Sequence, residues 1–171
     1  MKNEVVEVSI RGVMPTANGC ALFLGNEEKS FVIYIDQAIG SSISMAINEV
    51  PKERPLTHDL MDSIFRGFEI NLQRVIINDA SEGTFFARII LEMNNEIVKK
   101  IIEIDARPSD SVNLAVLQSA PIFVARKVFE DVEDMSGVLE KILQQEEEEM
   151  GGDFDFPEGG DDEDEDEPNP F

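Results

Sequence analysis

"LQRVIINDASEGTFFARIILEMNNEIVKKIIEIDA", residues 72–106, decides the fold. It holds three runs dense in Ile, Val and Phe: "LQRVIIND", "TFFARIILEM" and "KKIIEIDA". β-branched and aromatic residues suit a pleated, half-buried surface, so each run reads as a strand. The separators "DASEG" and "NNE" are short and turn-forming, which makes an antiparallel meander. Parallel neighbours would need a crossover of a dozen residues or more between them.

Upstream, "EVVEVSIRGV" alternates Val6, Val8 and Ile10 with Glu7, Ser9 and Arg11, the pattern of a half-buried strand. "CALFLGNEEKSFVIYID" reads as two strands joined at Gly25-Asn26. The period then changes. Ala38, Ile39, Ser42, Ile43, Ala46 and Ile47 fall on one face of a helix that Pro51 closes. A second helix follows Thr57, with Leu60, Met61, Ile64, Phe65 and Phe68 as its core-facing stripe. Downstream of the meander, Ser109 precedes a helix apolar nearly all round (Val112, Leu114, Ala115, Val116, Leu117), which should be buried. "PIFVA" is a short strand, and "SGVLEKILQQ" a last helix with Val138, Leu139, Ile142 and Leu143 inward. The expected architecture is α+β: a mixed, mainly antiparallel sheet with helices 37–48, 58–66 and 110–119 packed on it. One domain, 1–146, is followed by an acidic tail, 147–171, whose Gly-, Pro- and acid-rich composition predicts disorder.

The chain has 171 residues, 36 acids and 14 bases. Residues 146–171 hold 14 of the acids and no base, so residues 1–145 carry a net charge of only -8. Nucleic-acid binders usually show a basic surplus, and none is present. The adjacent basic pairs, Lys99-Lys100 and Arg126-Lys127, can each touch a phosphate or simply solvate a strand end. Cys20 is the lone cysteine, which excludes an intrachain disulfide and a cysteine-rich zinc site. The first residues do not resemble a signal peptide, and no apolar run reaches the length of a membrane span. A reducing, cytoplasmic setting without membrane contact is the expectation.

Two phrases are alike. "ERPLTHDLM", residues 53–61, carries the single histidine, and "DARPSDSVNLA" follows at residues 105–115. Each writes Arg-Pro, a hydroxyl residue and an aspartate at the start of a helix. Proline stiffens the entry, Thr57 or Ser109 caps it, and Asp59 or Asp110 meets the positive helix end. Arg54 and Arg107 sit on the wrong end of that dipole. Each therefore needs a partner, either a carboxylate of the protein or an anion.

"RPLTHDLM", "GTFFARIILE", "IDARPSDSVNLAV" and "APIFVA", in this order and spacing, resemble the bifunctional nuclease domain family, over about residues 5 to 130. The resemblance implies cleavage of both DNA and RNA, as described for plant members, and a homodimer. Hydrolysis of a phosphodiester needs an activated water and charge stabilisation on the phosphate. One histidine rules out a two-histidine acid–base pair. The candidates are His58, Asp59, Asp105 and Asp110 for the chemistry and Arg54 and Arg107 for the phosphate. Asp105 and Asp110 are candidate ligands for Mg²⁺ or Mn²⁺. No organic cofactor is implied. Tyr34 and Asp36 end a strand and can line the same site, though strand-end polarity explains them as well. Ion pairing and capping also explain the aspartates, so a second reading stands beside the nuclease: a non-catalytic interaction module whose Arg and Asp turns are structural.

The tip "DEDEDEPNPF" resembles the C-terminal tip of bacterial single-stranded-DNA-binding proteins, an acidic run ending in Pro-Phe. That resemblance implies a protein partner that takes Phe171 as an apolar anchor. A solubilising acidic tail is the simpler alternative. The expected departure from the familiar tip is Pro168-Asn169 before Pro170.

Overall fold

The computed structural model describes residues 4–150. Its elements are β1 (Val5–Thr16), β2 (Gly19–Gly25), β3 (Ser30–Ile35), α1 (Gln37–Ile47), α2 (Thr57–Gly67), β4 (Ile70–Ser81), β5 (Thr84–Asn94), β6 (Lys99–Ala106), α3 (Pro108–Gln118), β7 (Ile122–Ala125), α4 (Arg126–Asp131) and α5 (Ser136–Met150). The meander forms as its residues require: β4 pairs antiparallel with β5, and β5 with β6. Glu82 and Gly83 make its first turn, both with positive φ (51° and 79°), and glycine takes that conformation at no steric cost.

The strand order is β3-β2-β1-β7-β4-β5-β6. The chain belongs to the α+β class, and one pair, β4 with β7, is parallel. Strand β1 serves two neighbours: Val5–Val8 pair with β7, and from Ser9 onward it pairs with β2. The ladder shifts between Ile10 and Gly12. Such an irregularity bends and further twists a strand. The curl brings β3 back toward β5, so that the rings of Phe31 and Phe85 stack with centroids 5.9 Å apart.

One main core fills the concave side. Leu22, Leu24, Phe31, Ile43, Val75, Ile77, Val112, Leu114 and Val124 are all buried there. Each full burial of this kind contributes about 1.5–3 kcal/mol. Helix α3 is buried along Ser111–Ala115, with the polar Ser111 and Asn113 among the apolar residues. Its buried amide, Asn113, donates from Nδ2 to Ser42 Oγ (3.0 Å) and so joins α3 to α1. A smaller cluster of Met14, Ala21, Phe23 and Leu139 seats α5 on the other face of β1 and β2.

Several expectations need correction. The α2 stripe is split: Met61 and Phe65 pack on the core, whereas Leu60, Ile64 and Phe68 face outward. Helix α3 occupies the room beside α2, and only one narrow side of α2 reaches it. In α5, Leu139 and Ile142 turn inward, and Val138 and Leu143 are exposed. Thr57 and Ser109 do not cap. The boundary residues are Leu56 and Arg107, each one or two positions earlier. Proline's locked φ suits the first helical position, so α3 begins on Pro108 and carries Ser109 inside its first turn. Residues 147–150 continue α5, so the helix runs into the segment assigned to the tail. Residues 151–171, including Phe171 and the partner reading placed on it, lie outside the described residues. Among the described residues, no helix is long and apolar enough to cross a membrane.

Candidate functional site

The two Arg-Pro turns touch. His58, the second residue of α2, places Nε2 2.9 Å from Asp110 Oδ1, in the first turn of α3. An ionised carboxylate only accepts, so His58 carries its hydrogen on Nε2. Arg107, the residue before α3, donates from Nε to Asp110 Oδ2 (2.8 Å) and from Nη2 to Oδ1 (3.3 Å). Its third nitrogen, Nη1, lies 3.5 Å from Asp36 Oδ2. Asp36 is the boundary residue of α1. One chain of contacts, His58–Asp110–Arg107–Asp36, thus joins the N-termini of three helices.

Local sequence produces this. Pro108 keeps Arg107 extended (φ -68°, ψ 144°) and starts the helix at once. Asp110, third in the helix, then reaches back to the arginine three residues earlier. The arginine at the wrong end of the dipole has the partner it needs, a bidentate carboxylate. Burial pushes the Asp110 carboxyl up, but the hydrogen bonds from Arg107 and His58 outweigh it and hold the group below the usual carboxylate value. Arg107 is correspondingly raised, first by its hydrogen bond to Asp110, and stays a cation.

The arginine is not consumed by this. Its side chain remains 62% exposed. It stands at the edge of a cleft of about 490 Å³ lined also by Tyr34, Asp36, Thr84, Phe85 and Ser109. The cleft lies between β3, the β4–β5 turn and the start of α3. Asp36 is exposed there, and so is Tyr34. Both strand-end residues thus do line the place where Arg107 stands.

The other candidates lie apart. Asp59 takes Lys52 Nζ at 2.7 Å and 2.9 Å and accepts the Leu56 N–H at 2.7 Å. It therefore closes the start of α2 and does not enter the cluster. Asp105 is exposed on β6, in register with Arg88, but that arginine binds Glu103 instead (2.8 Å). Among the described residues, no hydrogen bond or ion pair joins Asp105 to the four clustered residues. Arg54 is exposed and, among the described residues, makes no hydrogen bond or ion pair. Lys99 and Lys127 are paired on Glu92 and Asp79. Sequence reasoning missed Lys52 and the Asn113–Ser42 bond. Asn113 carried a signal, as the single amide inside a run of apolar helix.

The donor set does not fit a divalent ion. Asp110 spends both oxygens on Arg107 and His58, and Asp59 is held by Lys52. Among the described residues, no three His, Cys, Asp or Glu side chains converge to hold a metal. Mg²⁺ asks for hard oxygens in near-octahedral array, not carboxylates already neutralised by arginine.

The family model for the bifunctional nuclease domain matches residues 22–136. The chain belongs to the bifunctional nuclease domain family. Uncharacterized proteins from two strains of Mycobacterium tuberculosis are each 35% identical over 126 residues, covering 73% of this chain and 73% of their own. The family match begins in β2 and ends at the first residue of α5. It contains all four clustered residues, Tyr34 and Arg54.

Proposed function

We propose that this member of the bifunctional nuclease domain family hydrolyses phosphodiester bonds of DNA or RNA in the cleft beside Arg107. The observation that carries the reading is the exposed Arg107 guanidinium, held by Asp110 at 2.8 Å and placed where three helices begin. Helix N-termini and an arginine fork both favour a phosphate. Arg107 holds the phosphate and offsets charge on its oxygens. Asp36 takes a proton from the attacking water as the new P–O bond forms, and the departing oxygen is protonated by solvent. His58 and Asp110 are positioning residues that aim Arg107.

Cleavage of single-stranded DNA and RNA by the purified full chain tests this, in EDTA and then with Mg²⁺ or Mn²⁺. Arg107→Ala should lower the rate by about a hundredfold or more, with the melting temperature recorded beside it. A strict requirement for the divalent ion would return the metal-assisted mechanism, with the phosphate itself completing the ion's shell.

A second reading has its own support. Arg107, Asp110 and His58 also form a closed clasp between α2 and α3. A non-catalytic interaction module would need nothing more. Absence of cleavage by the unaltered chain, with a lowered melting temperature for Arg107→Ala, would favour it.

A further inference from the structure

Neither the core nor a helix start accounts for Tyr34. It is 72% exposed. Its neighbours in β3 are used by the fold: Phe31 stacks on Phe85, and Ile33 lies in the main core. Among the described residues, Tyr34 has no hydrogen-bond or ring partner. It nevertheless lines the same cleft as Asp36 and Arg107.

The backbone of β3 adds a second feature. This strand is at the end of the sheet. Ser30 turns its N–H and C=O away from β2, to Ser136 Oγ (2.9 Å) and to the Met135 N–H (2.7 Å). Backbone groups of alternate residues in an antiparallel strand point the same way. Val32 and Tyr34 therefore present their N–H and C=O on the open edge, and both residues line the cleft. An aromatic ring, unpaired backbone donors and acceptors, and an arginine thus share one concave site.

We propose that this cleft takes a single unstacked nucleotide of a single-stranded nucleic acid, its base on the Tyr34 ring and its phosphate on Arg107. The inference rests on the reading of the cleft as a phosphodiester site. The shape argues against a duplex: a B-form major groove is about 12 Å wide and is read by an element that projects into it, whereas these groups line a hollow. A base must leave its stack to reach them. Stacking on an aromatic is tolerant of sequence and of sugar, because every base has a π-face. Charge argues the same way. A duplex carries one negative charge per about 1.7 Å of axis and each strand half that density. A protein with net charge -22 repels the duplex more.

The chain has one tyrosine and no tryptophan, so its intrinsic emission reports Tyr34 alone. The test is a titration of the full chain with oligo(dT), oligo(U) and a blunt duplex at low salt, in EDTA, followed by tyrosine emission and by anisotropy of a labelled strand. Single strands should quench the emission in a saturable way that tracks the anisotropy, and the duplex should bind more weakly. Tyr34→Ala should weaken single-strand binding by about tenfold, and Tyr34→Phe should restore most of it. Anisotropy that rises with unchanged emission, or a duplex bound as well as a single strand, would overturn the proposal. Binding through Tyr34 without cleavage would sink the nuclease reading alone. Cleavage indifferent to Tyr34→Ala would sink this inference alone.

Discussion

Asp59 and Asp110 occupy the same position of their helices, the third, yet do different work. Asp110 faces a histidine from α2 and the arginine that precedes its own helix. Asp59 faces Lys52 and its own helix start. Burial raises the Asp59 carboxyl, but Lys52 and the Leu56 N–H together bring it below the ordinary value of 3.8. A lowered folded-state pKa contributes stability above the unfolded value and loses it as pH falls through the folded one. Asp59→Ala should therefore cost about 1–2 kcal/mol at neutral pH. The gap to the unaltered protein should shrink below the ordinary carboxylate value, as read by melting at a series of pH values. A gap that stays constant into strong acid would mean the loss is one of packing and not of charge. Gly40 gives a second residue-scale expectation. It brings α1 against β2, and a Cβ there would stand 2.6 Å from Cys20 Cβ. Gly40→Ala should destabilise despite alanine's better helix preference, worth about 1 kcal/mol. Chemical denaturation gives the sign. That Asp59, Asp110 and Arg107 needed partners was legible in the sequence, because a charge at a helix start has a known preference. The Arg107–Asp110 pair was legible as well, three residues apart; Lys52 and His58 were not, because each comes from outside the helix whose aspartate it meets.

At the scale of the element, α2 shows where periodicity stops being informative. Leu60, Met61, Ile64, Phe65 and Phe68 all fit a helical stripe, but a stripe this wide can turn only part of itself to the core. Met61 and Phe65 are the part that packs. Phe65→Ala should cost about 2 kcal/mol or more, and Leu60→Ala and Ile64→Ala should stay within about 0.5 kcal/mol. Equal losses at all three would mean the outward face is covered in solution. The strands of the meander were readable because each run is long, rich in β-branched residues and bounded by short turns. Helix α4 was not, since six residues show less than two helical periods.

For the whole molecule, charge and topology are the two properties left. Residues 151–171 carry ten acids and no base. A chain ending at Met150 should bind single-stranded oligonucleotides more tightly at low salt, because tethered acids no longer oppose the phosphates. The advantage should fade as salt rises and the Debye length falls to about 8 Å at 0.15 M. Equal binding by the two chains at low salt would remove the tail from the electrostatics of the site. The acidic imbalance, the α+β class, the meander and the approximate helix starts follow from local sequence, since propensity and period act over a few residues. The order of the strands does not. β7 lies between β1 and β4, parallel to one and antiparallel to the other, and only the packing of α3 after β6 carries it there. The cleft depends on the same non-local step. Asp36 and Arg107 are 71 residues apart and meet because a curled sheet and three packed helices bring their ends together. Local rules paired Arg107 with Asp110 three residues away; long-range packing brought His58 and Asp36 to that pair and so chose the place.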